Sequence, residues 1–148
     1  MFIKDEINPA DIIQGELGDC YLLSALSALA EQGYRIKNLF PSIEINPNGI
    51  YMARILHNGE YQEVIIDDYF PVKRDSNRAA FAQPAGGQEI WVLVLEKCWA
   101  KLYGSYANII GGLPSEVLHA LSSAPAFYNR IPSDPNRQED LWQRMLRD

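Results

Sequence analysis

Only two cysteines and two histidines occur among the 148 residues, so thiol and imidazole chemistry has few places to sit. Cys20 and Cys98 can form one disulfide at most, and a disulfide framework does not organise this fold. Basic residues are the scarcer charge, 13 against 19 acidic, and the net charge of −6 argues against a nucleic-acid or anionic-membrane partner. No apolar run approaches the ~20 residues of a membrane span. The opening Met1-Phe-Ile-Lys-Asp-Glu lacks the apolar core of a secretory leader, so a reducing, cytoplasmic setting with both thiols free is expected. Repeats and low-complexity tracts are also missing. What is left is an ordinary globular composition, 47% hydrophobic and 22% charged, read as one domain over residues 1–148.

The most informative stretch is Gln14-Gly-Glu-Leu-Gly-Asp-Cys20-Tyr-Leu-Leu-Ser-Ala-Leu-Ser-Ala-Leu-Ala30-Glu, a glycine-punctuated loop running into a helix. Asp19 is expected to cap that helix, its carboxylate accepting a first-turn N–H. Cys20 then lies where orphan N–H groups and the positive end of the dipole favour a thiolate. Leu22, Leu23, Leu26, Leu29 and Ala30 form an apolar stripe, and Cys20, Ser24, Ser27 and Glu31 form a small polar one. Gln14, across a loop freed by Gly15 and Gly18, can aim a side-chain N–H at the same spot as the Cys20 backbone N–H. Two such donors make an oxyanion hole. Spacing alone leaves open a second reading, in which Cys20 is a small apolar filler and Gln14 a plain loop residue.

Asp11-Ile-Ile-Gln-Gly-Glu-Leu-Gly-Asp-Cys-Tyr-Leu-Leu resembles the nucleophile motif of the calpain family of cysteine proteases. That family usually carries Trp directly after the cysteine, where this chain has Tyr21. The stretch Glu96-Lys-Cys-Trp-Ala-Lys101, followed by Gly-Ser-Tyr and by Gly111-Gly112 before a helix, carries the resemblance onward. It implies an α+β fold: the helical lobe of a papain-like protease, with a central Cys-bearing helix, further helices and a small antiparallel sheet. It implies Cys20 as nucleophile and Gln14 as oxyanion donor. It also implies that Gly111 and Gly112 contact an extended substrate, whose backbone glycine can approach closely. The family's first lobe binds calcium, and the matching carboxylates here are Asp11 and Glu96, oxygen ligands of the kind calcium prefers. The carbonyl-bearing run upstream of Asp11 matches poorly, being Lys4-Asp-Glu-Ile here.

The rest of the chain reads as local elements. A helical turn is expected at 36–40, after Gly33 ends the central helix. Strands are expected at 49–56 and 61–68 around the Asn58-Gly59 hairpin turn, with a third, short strand near 79–82. Helices are expected at 88–103, 114–121 and 138–147, with a proline-rich turn region at 129–136. His57 reads as a solvated turn residue and His119 as a core or boundary residue. The Asp67-Asp68 pair reads as a structural strand end, and Cys98 as core.

Neither histidine matches the catalytic one, which in this family comes with an asparagine from a second lobe. The sequence therefore holds half of a catalytic site. Three readings follow. The chain is a nucleophile lobe completed by a missing lobe or a second polypeptide that supplies His and Asn, acting on a protein substrate. Alternatively it is an inactive remnant that docks a partner protein as a binding or scaffold module. In a third, Cys20 serves redox sensing, though no resolving cysteine is near in sequence.

Overall fold

The run after Asp19 contains no proline, glycine or β-branched residue until past Ala30, and it folds as helix α1 (Cys20–Ala30). In the computed structural model, which describes residues 2–3, 6–76, 78–84, 89–127 and 129–147, the expected stripe is buried. Leu22, Leu23, Leu26, Leu29 and Ala30 enter the core with Tyr21 and Ala25, while Cys20 and Ser24 stay exposed. Gly33 does not end α1. Gln32 (φ −127°, ψ 86°) breaks the helix first, and Gly33 opens α2 (Gly33–Lys37), ahead of the turn expected at 36–40.

Alternating side chains build a hairpin from β1 (Ile50–His57) and β2 (Glu60–Asp67), paired antiparallel from Ile50↔Asp67 to His57↔Glu60. Its turn residues Asn58 and Gly59 both have positive φ, 52° and 82°, as a tight hairpin of matching twist requires. Tyr51, Ala53, Ile55, Val64 and Ile66 face inward, and Ile50 and Ile65 are exposed on the other side. Helix α3 (Trp91–Leu102) packs on this hairpin. Gln88, where the sequence placed its start, lies outside the described residues. Lys97 ties α3 to the strand end, with Nζ 2.5 Å from Asp67 Oδ1 and 2.6 Å from the Tyr69 carbonyl. Lys101 reaches the Ile65 carbonyl at 2.6 Å. Asp67 is thus a structural tether, as its position at the strand end indicated.

The third strand falls later than expected. Ala79 makes an isolated bridge to Val72, and the pairing strand is Gln83–Pro84, which joins Ile12–Ile13 antiparallel. Its partner lies beside the loop that precedes Cys20, so the pairing is non-local and invisible to local pattern. Helix α4 (Pro114–Ser122) packs against α1 and carries proline in its first turn. A last helix, α5 (Pro135–Met145), starts inside the region read as a turn. Asp134 caps it, accepting from Asn136 N–H at 3.0 Å, and proline's fixed φ suits the first helical position. No described residue of α5 is buried. The molecule is therefore α+β: α1 is flanked by α2 and α4, and a small antiparallel hairpin is backed by α3.

Candidate active site

Cys20 is the first residue of α1 and is exposed, so its sulfur is reachable at the helix N-terminus. The N–H groups of Leu22 and Leu23 donate to the Asp19 carbonyl at 2.8 and 3.2 Å. Those of Cys20 and Tyr21 precede the first intrahelical acceptor and so have no partner within the helix. Asp19 does not cap through its side chain, contrary to the sequence reading. With ψ at 27° instead of the extended value typical of a cap, its carboxylate cannot swing over the first turn. It turns inward, 1% exposed.

Two contacts shape the loop before Cys20. Gln14 is exposed and donates one amide N–H to the Leu17 carbonyl at 3.2 Å, a bond that uses one of its two amide hydrogens. Gly15 lies so close to 80–81 that a Cβ would sit 1.8 Å from the Phe81 carbonyl oxygen, and Glu16 N–H bonds the Ala80 carbonyl at 3.2 Å. Only glycine fits there.

The glycine pair lies beside the same loop. Gly111 has φ +76° and donates its N–H to the Gly18 carbonyl at 2.9 Å. That bond clamps the pair to the loop before Cys20 and consumes the Gly111 N–H. Gly112 is exposed and rests on Tyr21, where a methyl group would come within 2.5 Å of the ring. Tyr21 in turn accepts a 3.0 Å hydrogen bond from Trp99 Nε1.

Beneath the site lies a buried carboxyl pair that the sequence reading missed. Glu96, 3% exposed on α3, accepts the Ala82 N–H at 2.9 Å and faces Asp19. Among the described residues no donor from elsewhere in the fold reaches either Asp19 oxygen, and a carboxyl proton shared with Glu96 satisfies the pair. Burial, and then the Asp19 charge, pushes the Glu96 carboxyl up to about 8; burial also raises Asp19. Among the described residues no cation pairs with either acid. A lone glutamate amid the apolar residues of α3 was the available signal.

Asp11, the other expected calcium ligand, ends a 3-10 turn (Pro9–Asp11), where its Oδ2 accepts Asn8 N–H at 2.7 Å. Asp11 and Glu96 offer oxygen donors alone, and the buried Asp19 carboxyl beside Glu96 adds two more oxygens with no cation partner among the described residues. That chemistry fits a hard cation. No three His, Cys, Asp or Glu side chains converge as a metal site among the described residues, so carbonyls and water would have to complete the shell. Of the upstream run that reads Lys4-Asp-Glu-Ile, Lys4 and Asp5 lie outside the described residues.

Each histidine contacts a group other than Cys20. His57 is half-buried, not a freely solvated turn residue, and meets the Tyr103 ring edge-on at 5.6 Å. His119, read as a core or boundary residue, is exposed, with Nδ1 2.7 Å from the Ala124 carbonyl. Cys98 is buried as expected, and desolvation pushes its thiol up to about 12. No helix among the described residues is long and apolar enough to cross a membrane.

Comparison with known proteins gives the same direction. The sequence profile of the calpain family cysteine proteases matches residues 1–148. The chain is 41% identical over 145 residues to the calpain-type cysteine protease DEK1 of Zea mays, covering 95% of this chain and 7% of that protein. It is 32% identical over 149 residues to the human calpain-1 catalytic subunit, covering 99% of this chain and 20% of that one. It thus spans a small part of the length of the relatives it matches. With the profile matched from end to end, this chain belongs to the calpain family of cysteine proteases.

Proposed function

We propose that this chain is the nucleophile lobe of a cysteine endopeptidase, completed by a histidine and an asparagine from a second lobe or polypeptide. The observation that carries the reading is an exposed Cys20 at a helix N-terminus, with the Gly111-Gly112 rail bonded to its own loop at 2.9 Å. The Cys20 thiolate attacks the scissile carbonyl carbon of a protein substrate, and the carbonyl π pair moves onto oxygen. The Cys20 N–H and the second amide N–H of Gln14 hold that oxyanion. Collapse re-forms the carbonyl and expels the amine, which the supplied histidine protonates; water then hydrolyses the thioester. With the Gly111 N–H consumed, Gly112 is the partner for an extended substrate strand.

Asp11 and Glu96 are the residues that would hold calcium in this reading, and a hard cation there would offset the buried charge of the Asp19–Glu96 pair. A cytoplasmic location belongs to the same reading and agrees with two unpaired thiols. A second reading, an inactive scaffold module, draws support from α5, whose Trp142 and Met145 side chains are uncovered.

A peptide-turnover assay tests the histidine assignment. The 148-residue chain alone is expected to show no turnover. Turnover that is lost with Cys20→Ser and also with His57→Ala or His119→Ala would place the base inside this chain and contradict the proposal.

A further inference from the structure

The position after the nucleophile holds Tyr21, 8% exposed, between two contacts that bear on the substrate rail. On one side the Gly112 backbone lies on its ring, leaving no room for a methyl group. On the other, its hydroxyl oxygen accepts the indole N–H of Trp99, itself 2% exposed. The Trp99 ring is packed against Tyr103 at 5.0 Å, so the donor is held from behind. A bond between a residue of α1 and one of α3 therefore fixes the surface on which the rail lies. The Gly111–Gly18 bond fixes the same rail at its edge.

We infer that Tyr21 is a positioning residue whose hydrogen bond from Trp99 sets the height of Gly112 relative to Cys20, and so selects for extended peptide at this site. The inference rests on the protease reading above. Its physical basis is the cost of a buried N–H without an acceptor. If the Tyr21 oxygen is removed, Trp99 must turn toward another acceptor, and the floor under Gly112 moves with it. A plain aromatic ring at position 21 fills the space but does not lock it.

The test compares alkylation of Cys20 by a dipeptidyl epoxysuccinate, which must lie along the rail, with alkylation by iodoacetamide, which need not. The ratio of the two rate constants is read on the 148-residue chain at a temperature where each variant retains native near-ultraviolet circular dichroism. Tyr21→Phe is expected to lower that ratio about tenfold. Trp99→Phe, which removes the donor instead, is expected to give the same drop. The double variant should fall no further, because both changes break one bond. A wild-type preference that neither substitution moves overturns this inference and leaves the protease reading standing. A wild-type chain with no preference for the peptidyl reagent overturns the rail itself and the inference with it.

Discussion

Gly15→Ala is expected to lower the thermal midpoint by about 10 °C, which corresponds to about 3 kcal/mol for a domain of this size. The added Cβ would lie 1.8 Å from the Phe81 carbonyl oxygen and 2.8 Å from its Cα, so backbone must yield to backbone. Retreat of the loop also breaks the Glu16–Ala80 bond and strips cover from the Ile12–Ile13 pairing. Gln14 is the adjacent residue, so its bond to the Leu17 carbonyl is disturbed in the same step. Gly18→Ala is the control. Its Cβ would meet the Cγ2 methyl of the exposed Ile110 side chain at 3.2 Å, a contact relieved by a few tenths of an ångström, and it should cost less than about 1 kcal/mol. Thermal melts followed by circular dichroism decide the matter; equal midpoints for the two variants would contradict the placement of this loop.

The second large effect is electrostatic. In calcium-free buffer the wild-type protein should lose stability as pH rises from about 4.5 to about 8, and Glu96→Gln should flatten that slope, leaving only the share of the buried Asp19. The sign follows from proton counts. An ordinary glutamate titrates near 4.5, whereas Glu96 in the fold holds its proton up to about 8 because of burial and the Asp19 charge. Between those values the folded state binds more protons than the unfolded one, so stability falls by up to about 1.4 kcal/mol per pH unit. Glutamine imitates the protonated acid, accepting from Ala82 N–H and donating to Asp19. Glu96→Leu removes both partners and should destabilise at every pH, since it orphans the Ala82 N–H and the Asp19 carboxylate inside the fold. Urea titrations across that pH range give the slopes. A wild-type slope equal to that of Glu96→Gln would remove the shared-proton account. The same pair of proteins tests calcium: titration calorimetry should give binding heat for wild type and none for Glu96→Gln.

The elements that local chemistry determines were legible in the sequence. The stripe of α1 follows from leucine spacing, and the hairpin register from Asn58-Gly59 between alternating strands. Cys98 was readable as core because α3 is apolar on most sides. Errors arose where a distant partner decides the outcome. Asp19 has the right identity for a cap, but its backbone angle and the nearness of Glu96, far away in sequence, turn its carboxylate inward. The short strand at Gln83–Pro84 pairs with Ile12–Ile13, which no local pattern announces. Pro135 was read as part of a turn region, whereas with Asp134 before it proline is a helix starter. For the candidate site, the motif around Cys20 indicated which residues to inspect. The bond from Trp99 to Tyr21 and the clamp from Gly111 to Gly18 came only with the three-dimensional arrangement.

The central claim is that Cys20 adds to a peptide carbonyl whose oxygen is held by its own N–H and by Gln14. Titration with a peptidyl aldehyde tests it most directly, because the thiohemiacetal oxygen occupies the place of the oxyanion. One adduct per chain is expected, mapped to Cys20, absent in Cys20→Ala and weakened about tenfold or more in Gln14→Ala. An adduct on Cys98, or an affinity unchanged by Gln14→Ala, would contradict it.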